Sequence, residues 1–284
     1  MPASPKVAVC GPASWNHLIL LDRLPEPVPH MQFARRSWQS VGGTSAGKAA
    51  HLADLGIEVT LCSPIGTDDD GGHVRRALTA AGARVEVVAS ERTERHVNLM
   101  TDDGGRVSLY VSVPSTPGED GLDAVAAAVA RADLAVIDLS ELGALLLQSG
   151  RTGQTPVWVD LHDYDGVSAF HEPFLRPAAA VFMNDDKTDD PWELMRLCLE
   201  RGPRLAVCTR GAEGAIALEA DGTRHTVAAE PVTVVDTNGA GDAFMAGFLA
   251  ATLRGSSVAG ALKAAASQAR IALQSEHLHP ALGN

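Results

Sequence analysis

Short runs of β-branched and other apolar residues alternate along this chain with longer segments rich in Ala and Leu, and few folds accommodate that rhythm. Apolar runs without polar alternation suit strands buried on both faces of a parallel sheet, and each parallel return needs a crossover, usually helical. The strand candidates are Lys6–Cys10, Glu58–Ser63, Leu134–Asp138, Val157–Asp160, Ala179–Met183 and Leu205–Thr209. Between them Ala46–Leu55, Gly72–Ala81, Leu122–Arg131 and Trp192–Arg201 carry an apolar stripe at helical spacing, the last with Asp190 as cap and Pro191 at its first position. Two further helices begin near Ala240 and Ser257 and read through to the C-terminus.

One stretch breaks the alternation. His96–Thr101 and Arg106–Val111 are extended runs joined by Asp102-Asp103-Gly104-Gly105, which reads as a β-hairpin, and Leu20–Gln39, with Pro25, Pro27 and Pro29, is not helical. The two regions, about 12–40 and about 93–115, are expected to pair into a small sheet standing off the main one. With no internal repeat and no low-complexity linker, residues 1–284 read as a single α/β domain with an appended β lid.

Apolar residues make up 45% and charged residues 20% of the chain, enough to build a core without help. Asp and Glu outnumber Lys and Arg by 35 to 23, and the net charge of -12 argues against nucleic acid or an anionic membrane as partner. An acidic protein that binds polyphosphate must supply positive potential locally, through backbone amides, Mg²⁺ or a few cations, so the glycine-rich stretches carry the argument. Cys10, Cys62, Cys198 and Cys208 are scattered without metal-ligand spacing and read as reduced thiols; no metal site resident in the protein is expected. The N-terminal stretch MPASPKVAVCGPAS lacks the apolar segment of a leader, and a cytoplasmic location is expected.

The most informative segment is Val234–Phe248, VVDTNGAGDAFMAGF. A strand end at Val234 and Val235 is expected to run through Asp236, Thr237 and Asn238 into Gly239-Ala240-Gly241, where a helix begins. Small residues let the backbone approach a ligand, and the first amides of the helix point at it without partners, forming an anion site. Asp242, in the first turn, either complements the helix dipole or acts as a base beside the anion hole, taking a proton from an acceptor hydroxyl.

This string resembles the C-terminal signature of the ribokinase (PfkB) carbohydrate kinases, with the DTxGAGD core matched from Asp236 to Asp242. Other segments agree in order. Gly42-Gly43 and the Ala-rich helix after it are similar to the family's double-glycine signature, Ile65–Gly72 to its GxDxxG stretch, Asn184 to the Asn of NxxE, and Thr209–Gly214 to its TxGxxG nucleotide loop. The resemblance implies a ribokinase-like three-layer α/β/α fold with a mostly parallel central sheet and a β lid over the acceptor. It implies ATP and Mg²⁺ as cofactors, with K⁺ as a further candidate beside Asp236 and Asn238, and a homodimer formed through the lid. It also implies roles: Asp242 as general base, the amides of Gly239, Ala240 and Gly241 as anion hole, Asn184, Thr209, Gly211 and Gly214 around the nucleotide, and Gly42 and Gly43 against the acceptor.

Gly42–Ala49, GGTSAGKA, nearly spells a P-loop, but Ala49 stands where the Mg²⁺-ligating hydroxyl belongs. Lys48 is therefore either a solvated helix residue or a contact to the acceptor. A dinucleotide fingerprint beginning at Gly239 fails because Phe244 holds the third glycine position. Asn16 stands where family members often carry Asp, Gly47 where they often carry Asn, and Lys187 where NxxE ends in Glu. Lys187 and Arg210 are candidate phosphate contacts. His162, Asp163 and Asp165 read as a polar loop at the sheet edge, and Trp15, Trp38 and Phe33 as aromatics for packing or for stacking on a sugar or base. The expected activity is transfer of the ATP γ-phosphate to a hydroxyl of a sugar or sugar-like molecule, with Asn16, Gly42, Gly43, Lys48 and Asp242 facing that acceptor. A nucleoside kinase of the same fold, and a catalytically weak sugar-binding or regulatory homologue, are the alternatives.

Overall fold

A computed structural model describes residues 4–283, so the first residues of the stretch read as lacking a leader lie outside the described part. Along the chain β1 (Lys6–Cys10), β2 (Ser14–Leu21) and β3 (Arg36–Gly42) precede α1 (Thr44–Asp54), β4 (Glu58–Ile65), α2 (Asp69–Ala80) and β5 (Arg84–Ala89). Then come β6 (Glu94–Thr101), β7 (Arg106–Ser112), α3 (Glu119–Ala130), β8 (Leu134–Asp138), α4 (Glu141–Gln148), β9 (Val157–Asp160) and the single turn α5 (Glu172–Leu175). The last third holds β10 (Ala178–Asn184), α6 (Pro191–Leu199), β11 (Leu205–Thr209), β12 (Ala215–Glu219), β13 (Arg224–Val227), α7 (Ala240–Leu253) and α8 (Val258–Leu273).

The strands form a large sheet in the order β13-β12-β11-β10-β9-β8-β1-β4-β5, parallel from β11 to β5, with β12 and β13 added antiparallel at one edge. Period-two alternation sends Val7 and Val9 of β1 into one core and Ala8 and Cys10 into another, all four buried, because helices cover both faces. One core packs α1, α7 and α8 through Ala46, Phe248 and Leu262. The other packs α3, α4 and α6 through Val125, Leu146 and Met195. Side-chain caps start four helices: Asp68 accepts from the Gly71 amide (2.9 Å), Ser140 from Gly143 (3.0 Å), Asp190 from Glu193 (3.1 Å) and Ser257 from Gly260 (3.3 Å).

The second sheet, in the order β3-β2-β6-β7, is the small sheet read from sequence as the lid. β6 and β7 form the expected hairpin, and the proline-rich segment is the loop between β2 and β3. Val234 and Val235 correct the reading from sequence, because they lie in a half-exposed loop rather than a strand, tied down by the Val235 amide donating to Leu273 O (2.7 Å). No strand of either sheet among the described residues takes them as partners. The two C-terminal helices end at Leu253 and Leu273, and a tail from Gln274 passes back along α1.

Candidate active site

Chain direction across the sheet reverses beside β1: β4 and β5 lie to one side, β8, β9, β10 and β11 to the other. Open α/β sheets leave a crevice at such a point, outside the carboxyl ends of the strands. Asp138 and Asp160 end β8 and β9 as register partners there, and Asn184 and Thr209 do the same for β10 and β11. Gly42 and Gly43 bring the chain from the lid into α1, and Gly43 at φ 92° sits so close to Pro12 that an added Cβ would fall 2.4 Å from its carbonyl oxygen.

Two cavities meet at this edge. The first, about 470 Å³, lies under the lid and is lined by Asn16, Glu94, His96, Asn98, Asp160 and Asp242 among others. The second, about 630 Å³, has apolar walls from Val232, Ala266 and Leu273 and receives Gly211 and Gly214 of the loop after β11. Asn184, Thr209, Thr237 and Gly241 border both, whereas Asp242 faces only the first. The glycine turn therefore stands at the passage between them. Gly239 adopts a left-handed φ of 79°, against Leu278 of the tail, and α7 starts at the next residue. The amides of Gly239, Gly241 and Asp242 find no hydrogen-bond acceptor among the described residues, as the first turn of a helix requires unless a ligand arrives.

Asp242 is buried, and burial pushes its carboxyl above the ordinary aspartate value, against the pull of the Lys48 ammonium. Its Oδ1 accepts from Lys48 Nζ at 2.8 Å and from the Thr44 hydroxyl. Lys48 thus departs from the solvated reading: it is 1% exposed, and its partners are Asp242, Asp138 and Asp160 rather than solvent. Burial works against the charge on Asp160, but His162 and Lys48 outweigh it and hold the carboxyl down at about 2. His162, at a left-handed φ of 52° rare for a residue with a side chain, lines the first cavity instead of sitting at a bland sheet edge.

The lid contributes a polar face. Period-two alternation along β6 puts Glu94, His96 and Asn98 on one side, joined by Asn16 from β2. His96 Nε2 lies 2.9 Å from Glu94 Oε1 in poor hydrogen-bond geometry, and Asn98 Oδ1 is buried with no partner among the described residues. Arg106 of β7 reaches across to donate to Asn238 Oδ1 at 3.0 Å, tying the lid to the glycine turn. Arg210 and Lys187 line neither cavity: Arg210 pairs with Glu213 and lies 3.6 Å from Asp185, and Lys187 is exposed. The candidate stacking aromatics point elsewhere too. Trp15 stacks on His73 (4.8 Å), Arg36 covers Trp38 (4.3 Å) and Phe33 is 88% exposed.

Sequence reasoning missed Asp138, Asp160 and the lid face. The signal was present in part: LAVID and VWVD each end an apolar run on a carboxylate, which marks a strand end held at a polar site.

Comparison with known proteins agrees with this geometry. The description pfkB family carbohydrate kinase matches residues 4–281. The chain is 32% identical over 258 residues to an acarbose 7(IV)-phosphotransferase of Actinoplanes sp., covering 88% of this chain and 85% of that protein. It is 28% identical over 277 residues to an ATP-dependent ribose-1-phosphate kinase of Halopiger xanaduensis, covering 91% and 88%. Among solved structures, a microbiome-derived acarbose kinase superposes with a TM-score of 0.83 at 27% identity, covering 96% of this chain and 94% of that one.

Proposed function

The chain belongs to the pfkB family of carbohydrate kinases, and from that premise we propose that it transfers the γ-phosphate of ATP to a hydroxyl of a hydroxyl-rich, sugar-like acceptor held under the lid. The observation that carries this reading is the position of the glycine turn: its unpartnered amides open between two cavities, and the one carboxylate on the turn faces the lid side. Phosphoryl transfer asks for that arrangement, with positioning and charge stabilisation at the transferring group and a base next to the attacking oxygen.

In this reading the acceptor O–H gives its proton to Asp242 as its oxygen bonds to the γ-phosphorus. The bond from that phosphorus to the β,γ-bridging oxygen breaks, and the electron pair leaves with ADP. The amides of Gly239, Gly241 and Asp242 face the charge on the moving group, whereas the Ala240 amide, counted with them from sequence, is turned to Thr237 O (3.4 Å). Asn184, Thr209, Gly211 and Gly214 hold the nucleotide, and Asn16, Gly42, Gly43 and the β6 face hold the acceptor. The oxygens of Asn184 at the boundary and of Asp185 and Asp186 in the second cavity suit water-mediated contact with Mg²⁺, which would neutralise phosphate charge when bound with ATP. K⁺ would be sought beside Asp236, whose carboxylate already accepts from the Asn238 amide (2.9 Å), by comparing turnover in K⁺ and Na⁺ salts.

A sugar-like acceptor is favoured over a nucleoside because the lid offers polar atoms in want of partners and its tryptophans turn away from the cavity. The screen that tests this measures ADP release over acarbose, maltotriose, ribose, ribose 1-phosphate, myo-inositol and adenosine. Turnover on adenosine alone would refute the acceptor class, and tight binding without turnover on any would favour the regulatory homologue. Asp242→Asn should lower turnover by roughly 10²- to 10⁴-fold and leave ATP affinity near that of the parent protein; near-parental turnover would remove Asp242 from its role. We place the enzyme in the cytoplasm as a homodimer joined through β7, an unpaired edge strand that exposes Val107, Leu109 and Val111.

A further inference from the structure

Lys48 is the feature the proposed reaction does not yet use. An ammonium ion with almost no exposure is surrounded by three carboxylates from three separate elements: Asp242 Oδ1 of α7 at 2.8 Å, Asp138 Oδ1 of β8 at 3.0 Å and Asp160 Oδ2 of β9 at 3.0 Å. It also donates to Thr44 Oγ1, and that hydroxyl donates in turn to Asp242 Oδ1. An isolated charge buried this deeply would be prohibitive, and three carboxylates gathered without a cation would be worse. Ser45 fixes the far side by donating to Asp138 Oδ2 at 2.5 Å, while Asp138 Oδ1 has no hydrogen bond among the described residues and depends on the ammonium for compensation.

The geometry is asymmetric at Asp242. Both donors, Lys48 and Thr44, occupy Oδ1, and Oδ2 accepts no hydrogen bond among the described residues. Gly47 keeps that oxygen uncovered, since a Cβ there would lie 2.9 Å from Asp242 Oδ2. The two neighbouring residues Gly47 and Lys48 therefore work together, one leaving space and the other supplying charge.

We propose that Lys48 is a positioning residue for phosphoryl transfer, which grips Asp242 by Oδ1 so that Oδ2 is presented to the acceptor hydroxyl and remains an ammonium counterweight throughout the reaction. Resting, the four groups sum to two negative charges. When Oδ2 takes the acceptor's proton the sum becomes one negative charge, with Lys48 offsetting one of the two carboxylates Asp138 and Asp160. That proton leaves to solvent after the products depart. The other groups facing the cluster are His162, whose ring lies 3.7 Å from Asp160, Glu94, His96 and Arg106 of the lid across the cavity, and the buried Cys10 thiol of β1, paired with Cys62 and held up in part by Asp138. Burial pushes the Asp242 carboxyl up, Lys48 pulls it down and Asp160 pushes it further up. Removal of Lys48 must therefore raise it.

The proposal rests on Asp242 as base. Its test is Lys48→Met, which keeps the length and removes the charge, measured as the pH profile of kcat/KM for the fastest acceptor of the panel above. The same shift is read without acceptor from the ¹³C-carboxyl titration of Asp242 in the free protein. Lys48→Met is expected to lose about tenfold or more in kcat/KM near neutral pH, with ATP KM little changed and the acid limb moved up by about one pH unit or more, so that part of the loss is recovered in alkali. Lys48→Arg, which keeps the charge, should leave the limb near its original place. An unmoved limb and titration in Lys48→Met overturn the proposal, whatever the loss of rate. Should that variant fail to fold, Asp160→Asn removes the negative charge that raises the Asp242 carboxyl beside the same ammonium and must move the limb the other way, to lower pH; an unmoved limb there overturns it equally. Loss of turnover in Asp242→Asn with no pH shift in Lys48→Met would sink this inference alone, whereas turnover in Asp242→Asn would sink the reading beneath it.

Discussion

Acidification should begin to destabilise this protein as pH falls below about 6.5, and His51 is the reason. It sits fully buried on α1, with Nε2 donating to Leu278 O at 2.8 Å and Nδ1 accepting from Gln268 Nε2 at 2.8 Å, so both nitrogens are satisfied only in the neutral ring. Burial, reinforced by His279 at 4.5 Å between ring centres, depresses its pKa from 6.5 to about 4. The unfolded chain therefore binds a proton that the folded one refuses. Stability from neutral His51 is full above the unfolded value of 6.5 and drains away as pH falls toward about 4. The total at stake is about 3 kcal/mol, of which about 2 kcal/mol disappears by about pH 5. With about 0.6 kcal/mol/K of unfolding entropy for a chain of this length, the loss is about 3 °C in Tm. The assay is a thermal melt of the parent protein and His51→Gln at about pH 7.5 and about pH 5. The variant should start lower but fall about 3 °C less between the two, and His279, also depressed by burial, titrates in both proteins. Equal falls would refute the reasoning.

Two further outcomes follow from the geometry. Gly42→Ala places a Cβ 2.0 Å from Asn16 Nδ2, the movable end of an amide, on a backbone that tolerates alanine. The fold should survive while Asn16 swings away, raising the acceptor KM about tenfold for the loss of one hydrogen bond and leaving the ATP KM alone, as initial rates would show. Leu109→Glu, on the half-exposed face of β7, should convert a lid-paired dimer to monomer in light scattering; a dimer that persists would place the interface elsewhere.

The layered fold was legible because its signals are local. Continuous apolar runs mark the parallel strands, and Asp190-Pro191 marks the start of α6, where the cap bond forms. What escaped were elements whose patterns are short or mixed: β5, the two-turn α4, and the antiparallel edge β12–β13. In SWNHLILL the polar residues of β2 obscure a strand that buries alternate positions. The glycine turn was readable as a string, because Gly239 must be left-handed and the first amides of α7 must be free. Lys48 was not. Its spacing within GGTSAGKA gives no hint that two strand-end aspartates, roughly a third of the chain away, fold onto its ammonium. Only tertiary structure distinguishes a solvated lysine from a buried one.

The most direct test of the account is the structure of the protein with a non-hydrolysable ATP analogue and an acceptor from the screen. The γ-phosphate should lie within hydrogen-bond reach of the Gly241 and Asp242 amides, with an acceptor hydroxyl about 2.6–3.2 Å from Asp242 Oδ2 and in line with the γ-phosphorus. A γ-phosphate bound away from the start of α7, or an acceptor with no hydroxyl near Asp242, would contradict it.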